Sequence, residues 1–331
     1  MKKNIANILK VILSLGLGVF IAWWAFKDLS AEEKNQLQDT IHRANYFWLL
    51  LGPAIGILSN IVRALRWEMM LNSLGYKPKF SNVNSAVYIM YFGNLLFPRL
   101  GEVTRCSILY KTDNVPIEKS IGTMVVERVV DMLTLILVGV LLVVFEYELL
   151  FSLFDKYVIA PYAAKFSKLS NGSLIFFVIL SGIALVLILY FLYQKLKETA
   201  LVKKIEGLFL GVMDGLISIK DLPNPFLFIF YSLLIWFMYF LMIYISFRAL
   251  PETENLGIFA GLACVFFGTF AFIITQGGIG LYQVIVKEVL LLYFVAAPVG
   301  FAFGLLVWSL QTLMVAICGL LAVLYLFLSK K

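Results

Sequence analysis

Three charged side chains interrupt an apolar stretch of this sequence. Arg99, Glu102 and Arg105 stand three residues apart within residues 94–105, so that on a helical turn all three face one side. A charge inside a bilayer costs at least ~2.5 kcal/mol on insertion scales and therefore faces a partner or a cavity. Because the forked donors of arginine suit a phosphate or a carboxylate, we interpret the trio as a binding site for an anionic group. The alternative is that Glu102 neutralises both arginines and only holds the segment together.

A second charged group lies inside a long apolar segment. Glu127 and Asp131 are one helical turn apart on one face, and Arg128 reaches Asp131 at a spacing of three. The group could be self-paired, or it could lie near a membrane surface where long side chains reach the headgroups. Its net charge is negative, whereas that of the first group is positive. We therefore favour mutual pairing, which would hold a cavity in shape near the membrane midplane.

Arg63, Arg66 and Trp67 end another apolar segment. Two interpretations are equally supported by these residue types. The arginines are cytoplasmic anchors beside an interfacial tryptophan, or they bind lipid headgroups.

A glycine-rich turn forms the fourth candidate. Gly277, Gly278 and Gly280 precede Gln283 within residues 276–283. Glycine allows the backbone to approach a ligand closely, and a helix that begins after such a turn offers an open N-terminal end to an anion.

The composition places these groups in a membrane. Of 331 residues, 62% are hydrophobic and only 14% are charged, and the mean hydropathy of +0.93 is far outside the range of soluble domains. One histidine, His42, and three cysteines without metal spacing predict no metal centre, no disulfide framework and no cofactor. The basic residues are scattered among short loops, so the net charge of +7 indicates membrane orientation and not nucleic-acid binding.

The long apolar runs predict an all-α polytopic membrane protein with about six full transmembrane helices. We place them near residues 6–27, 46–66, 117–145, 172–193, 226–248 and 298–328.

Two shorter apolar segments predict re-entrant hairpins at about 82–111 and 257–295. The first is broken by Pro98 and Gly101, and the second by the glycine turn. Broken helices release backbone groups that lipid cannot satisfy, so they survive only when packed in protein or lining a wet cavity. Each hairpin precedes a proline-initiated span, which predicts an inverted repeat, as in many transporters. The distribution of basic residues favours both termini inside, and residues 195–220 predict a cytoplasmic amphipathic helix.

Four short motifs resemble one family in their order and spacing, and the resemblance covers nearly the whole chain. The pattern R-x-x-R-W, N-x-x-x-P-x-x-x-G-E-x-x-R, E-R-x-x-D and G-G-x-G resembles the transmembrane flippase-like domain of lysylphosphatidylglycerol synthases. The positions that carry it are Arg63, Arg66, Trp67, Pro98, Gly101, Glu102, Arg105, Glu127, Arg128, Asp131, Gly277, Gly278 and Gly280.

The resemblance implies a domain that moves a phospholipid, typically an aminoacylated phosphatidylglycerol, between leaflets. In the two-part synthases a soluble C-terminal domain transfers the aminoacyl group, and this chain ends at Lys331 directly after its last span. We therefore expect no enzymatic activity. Two departures from the family bear on the substrate. The family often has proline before the glycine turn and glutamate after it. This chain has Gln276 and Gln283 there.

The leading hypothesis is a single integral-membrane domain over residues 1–331, in the cytoplasmic membrane, that moves an anionic or aminoacylated lipid. The alternatives are an integral-membrane headgroup or glycosyl transferase, and a membrane subunit of a lipid-modifying complex. The expected partners are a phospholipid or lipid-linked substrate, the membrane, a second copy of the chain, or a separate lipid-modifying enzyme.

Overall fold

The computed structural model describes residues 30–97, 100–148 and 222–329, with a few isolated positions between 16 and 27 and residue 151. Within these residues the chain is helical and contains no strand. Two compact units are present, one of residues 1–140 with 222–331 and one of residues 141–221. The described helices are α1 (Ala31–Arg43), α2 (Tyr46–Ser73), α3 (Phe80–Leu96), α4 (Leu100–Asp113), α5 (Ile117–Phe145), α6 (Pro225–Ser246), α7 (Ile258–Ile274), α8 (Leu281–Leu292) and α9 (Ala297–Leu328).

Four of the described helices are long and apolar enough to cross a membrane: α2, α5, α6 and α9. They confirm an all-α polytopic membrane protein. The spans near 6–27 and 172–193 and the amphipathic segment 195–220 lie largely or entirely outside the described residues. Helix α2 runs to Ser73, beyond the predicted end at residue 66, because Arg63 and Arg66 are buried against partners and do not mark a membrane surface.

Helix α1 is an amphipathic helix outside the long spans. Ser30 and Glu33 form a capping box at its start, in which the Ser30 N–H donates to Glu33 at 2.8 Å and lowers the pKa of that carboxyl. Its apolar face packs on α9, where Leu37 contacts Phe301 and Ala302.

Helices α3 and α4 form the first predicted hairpin. Near the tip Gly93 lies against Gly101, and the side chain of Asn94 accepts a hydrogen bond from the Gly101 N–H at 2.9 Å. At the base the Lys79 N–H donates to Asp113 at 2.9 Å. The glycine pair permits the close approach. Asn94 satisfies a backbone N–H that the break releases, and Asp113 satisfies the N–H before the start of α3.

Helices α7 and α8 form the second predicted hairpin, with a short 3₁₀ turn at Gln276–Gly278 between them. Gly277, Gly278 and Gly280 have φ of 62°, 73° and 73°, a left-handed conformation that favours glycine. Near the tip Gly268 packs against Tyr282, the second residue of α8. Gly93 of the first hairpin likewise packs against Gly101, the second residue of α4.

Both hairpins also end in the same way. Asn114 follows α4 with φ 54° and Phe294 follows α8 with φ 63°, and in each case a buried valine comes next, Val115 or Val295. The valine N–H groups bond back to the last turn of the preceding helix, as in a left-handed helix cap. A proline then lies at the start of the following long helix. These shared features support an internal repeat, while its inverted orientation and the position of the termini stay predictions.

The tips of the two hairpins contact each other. The Gln276 side-chain amide donates to the Leu95 carbonyl at 2.9 Å, and Gly277 lies against the Leu95 side chain. On α9, Trp308 Nε1 donates to the Gly277 carbonyl at 2.7 Å. Gln276 of the second break therefore satisfies a backbone carbonyl of the first hairpin, and α9 satisfies a backbone carbonyl of the second break.

Replacing Gly101 by alanine should prevent the first hairpin from closing. A Cβ at this position would overlap the backbone carbonyl of Met90, which cannot move without opening the hairpin. We expect a loss of about 3 kcal/mol or more in the free energy of unfolding, measured by denaturant titration in micelles. Gly122→Ala is the matched control, because an added Cβ there meets nothing within 4 Å and should be neutral or stabilising. Equal behaviour of the two variants would contradict this packing.

Phe294→Asn should stabilise the protein. Phe294 is 98% exposed and left-handed, so its side chain contributes little packing while its backbone is strained. Asparagine, which occupies the corresponding position at Asn114, tolerates this conformation. We expect a gain of about 1 kcal/mol in the same titration and a loss of similar size for Asn114→Ala. A loss for Phe294→Asn would mean that the side chain has a partner in the membrane.

Candidate functional site

Five ionisable side chains form a buried cluster between α2, α4 and α5, which we call the ionic cluster: Arg63, Arg66, Arg105, Glu127 and Asp131. Asp131 accepts from both arginines of α2. Arg63 Nη1 lies 3.0 Å from Oδ2, and Arg66 Nη1 lies 2.9 Å from Oδ1. The two arginines are one turn apart on α2, so a single carboxylate can bridge them.

Glu127 links the first hairpin to the same group. Its Oε2 accepts from Arg105 Nη2 of α4, and its Oε1 lies 3.5 Å from Arg66 Nη2 of α2. The structure therefore confirms the predicted pairing between hairpin and span for this residue. Asp131 differs, since its partners come from α2. Glu127 and Asp131 lie near the middle of α5, far from either end of the helix.

Aromatic and hydroxyl groups surround the arginines. The Trp67 ring lies 3.7 Å from the Arg105 guanidinium, and Trp67 Nε1 donates to Thr123 at 2.9 Å. From α6, Ser232 accepts from Arg66 at 2.9 Å. Such a shell fixes the geometry of the arginines and stabilises their charge through ring and hydroxyl dipoles.

Two tyrosines complete the shell beside Arg63. Its Nη2 donates to the Tyr239 hydroxyl of α6 at 3.0 Å, and that hydroxyl lies 3.3 Å from the Tyr91 hydroxyl of α3. Neither tyrosine stands out in a sequence where tyrosines and phenylalanines are frequent. Their role depends on helices that meet only in the folded protein.

The interpretation of Arg63, Arg66 and Trp67 as interfacial anchors is wrong. Arg66 and Trp67 are fully buried, and Arg63 is 6% exposed. Each makes specific polar contacts inside the bundle, which removes any need to reach the membrane surface. The spacing in the sequence indicates this pairing, because two arginines one turn apart match two carboxylates one turn apart on another span.

Glu102 does not neutralise Arg105. It pairs instead with Arg128 at 2.8 Å, and the Arg128 side chain is 57% exposed. Arg128 therefore does not pair with Asp131 either. Pro98 and Arg99 lie outside the described residues.

The ionic cluster carries an uncompensated positive charge. Three arginines and two carboxylates leave a net charge of +1 in a buried position. Within the described part of the chain, the Nε atoms of Arg63, Arg66 and Arg105 have no hydrogen-bond partner. Buried charges are normally paired, so the cluster is chemically suited to an anion.

The glycine turn lies apart from the ionic cluster. No hydrogen bond or ion pair between described residues joins the two directly. Gly277 and Gly278 sit at the meeting point of the hairpin tips, and Gln283 is buried in the first turn of α8.

Comparison with known proteins identifies one family over nearly the whole chain and two relatives over about a quarter of it. The family described as lysylphosphatidylglycerol synthase TM region matches residues 8–329. Glycosyltransferase AglD of Haloferax volcanii is 36% identical over 94 residues, which are 28% of this chain and 15% of that protein. The UPF0104 membrane protein MJ1595 of Methanocaldococcus jannaschii is 31% identical over 87 residues, 25% of this chain and 26% of that protein. No solved structure matches.

The expectation that the chain is not an enzyme is contradicted by the first relative, whose name is that of a glycosyltransferase. The matches span 15% and 26% of the two relatives' own lengths. The name thus describes that protein, and enzymatic activity of this chain is an open question that an assay must address.

Breaking the buried pair between hairpin and span should destabilise the protein strongly. Arg105→Gln leaves Glu127 with only its longer contact to Arg66, and we expect a loss of about 3–5 kcal/mol in unfolding free energy. Adding Glu127→Gln should recover part of that loss, because it removes the poorly compensated carboxylate. The exposed pair is the control, since Arg128→Gln should cost no more than about 1 kcal/mol. Equal losses for Arg105→Gln and Arg128→Gln would contradict the burial.

Proposed function

Because the chain belongs to the lysylphosphatidylglycerol synthase TM region family, we propose that it binds the phosphate of a lipid headgroup at the ionic cluster and moves that headgroup between leaflets. The observation that carries the proposal is the net positive charge buried among α2, α4 and α5.

A phosphodiester would balance that charge. Its single negative charge offsets the excess of +1, and its oxygens accept from guanidinium groups in the forked geometry that arginine provides. Arg63 is the candidate for such a contact, because it is the least buried of the three arginines, at 6% exposed, and its Nε has no hydrogen-bond partner among the described residues. The neighbouring hydroxyls of Tyr91 and Tyr239 supply further donors.

The broken helices supply a route for the headgroup. Non-helical backbone at membrane depth is tolerated where it is packed in protein or lines a cavity, and the two hairpin tips meet each other there. We propose that movements of the hairpins carry the polar headgroup past this point while the acyl chains stay in lipid. Arg128, the residue after Glu127 in α5, pairs with Glu102 and has an exposed side chain. We propose this pair as the entrance to the ionic cluster.

Headgroup or glycosyl transfer is the second candidate, favoured by the name of the first relative. The two functions differ in their product. A transferase changes the mass of the lipid, whereas a transporter changes only its leaflet.

The experiment is a leaflet-accessibility assay with purified protein in liposomes that contain labelled phosphatidylglycerol. Arg63→Gln removes the excess charge, and we expect the crossing rate to fall about 10- to 100-fold, since a hydrogen bond to a charged group contributes about 1.5–3 kcal/mol. Arg63→Lys keeps the charge and should retain more of the rate. Arg43→Gln is the matched surface control, because Arg43 pairs with Glu252 away from the cluster.

Folding is checked by thermal unfolding of each variant, and lipid mass is recorded in the same samples. Crossing by Arg63→Gln at the wild-type rate would overturn the assignment of the phosphate site. A change in lipid mass would favour the transferase.

A further inference from the structure

The start of helix α8 differs from the start of its counterpart α4. In the first hairpin Asn94 caps α4 by accepting from the Gly101 N–H. In the second hairpin Gly280 precedes α8, and no side chain caps it. Thr269, which corresponds to Asn94 in the sequence, donates instead to the Val265 carbonyl. The Leu281 N–H donates to the Ile279 carbonyl at 2.8 Å. The following N–H groups and the positive end of the α8 dipole have no side-chain cap among the described residues.

Two buried glutamines border this helix end. Gln276 is 5% exposed and Gln283 is 3% exposed. The amide nitrogen of Gln276 is used by the Leu95 carbonyl, but the Oε1 atoms of both glutamines have no hydrogen-bond partner among the described residues. A buried acceptor without a donor is unfavourable, so these oxygens are suited to a group that brings its own donors.

The charge at the two breaks also differs. The third residue of α4 is Glu102, whereas the third residue of α8 is the neutral Gln283. The next charged residue on the same face of α8 is Lys287, one turn further, and Glu288 pairs with it at 3.0 Å. Within α8 no carboxylate precedes Glu288, so an ammonium group would meet the positive end of this helix without a carboxylate in its first turn.

Helix α3 connects the second break to the shell of the ionic cluster. Leu95, whose carbonyl binds Gln276, is one turn along α3 from Tyr91, whose hydroxyl belongs to the shell of the cluster. One turn corresponds to a rise of about 5–6 Å.

We propose that the break before α8, with Gln276 and Gln283, binds an uncharged, hydroxyl-bearing headgroup whose phosphate lies at the ionic cluster. Each hydroxyl donates one hydrogen bond and also accepts, so a headgroup with two hydroxyls can donate to both glutamine oxygens and accept from the helix N–H groups. The substrate is then a phospholipid with a glycerol- or sugar-like headgroup and not one with an amine. This inference rests on the proposed function for the position of the phosphate.

Three lipids with identical acyl chains separate the chemistry: phosphatidylglycerol, phosphatidylethanol, which lacks a free hydroxyl, and phosphatidylethanolamine, which carries an ammonium. Binding to the purified full chain is measured by native mass spectrometry, and crossing is measured in liposomes. We expect wild type to prefer phosphatidylglycerol about five- to tenfold over phosphatidylethanol, the effect of roughly one hydrogen bond, and to bind phosphatidylethanolamine least.

Gln276→Leu and Gln283→Leu should each reduce the preference for phosphatidylglycerol, and Gln283→Glu should raise the relative binding of phosphatidylethanolamine. Gln38→Leu, on the exposed face of α1, is the matched control and should change neither. Gln283→Glu adds a charge without removing a side chain, so it tests the site even if a leucine variant does not fold.

Equal binding of the three lipids by wild type, or unchanged preferences in all the glutamine variants, would overturn the inference. Selective binding without crossing would support the inference and refute the transport function. Crossing without selectivity would support the transport function and overturn the inference.

Discussion

The pairing of ionised side chains in the membrane interior is the interaction on which the structure depends. Asp131 and Glu127 of α5 hold the two arginines of α2, and Glu127 also holds Arg105 of the first hairpin. None of these charges could remain in hydrocarbon alone. The cluster therefore ties together three helices, α2, α4 and α5, and it fixes the hairpin against the spans.

Broken helices impose a second constraint. Each break exposes backbone groups that lipid cannot bind, and the chain supplies partners for them from different sources. Asn94 and Gln276 serve backbone groups of the first hairpin, whereas Trp308 of α9 serves the second. The two hairpins consequently support each other at their tips, and one of them retains an open helix end.

The two hairpins share a backbone plan but differ in their chemistry. Both have a 17-residue helix, a short return helix and a left-handed residue before a buried valine. The first hairpin carries the charged side chains, and the second carries glutamines and glycines at the corresponding break. A headgroup with an anionic part and a neutral polar part matches this division.

Hydrophobicity, proline, glycine and charge sign predict the helical class, the described long spans, both broken hairpins and the pairing of Arg105 with the charges of α5. These signals are local and are read directly from the residues. The contacts between helices emerge only on folding: Arg63 and Arg66 face Asp131, Tyr91 and Tyr239 meet beside them, and Gln276 binds Leu95. Arg63 and Tyr239 are 176 residues apart, and periodicity along one helix does not specify which face of another helix it meets. Packing of the whole bundle makes that choice, since each buried polar group must find a partner.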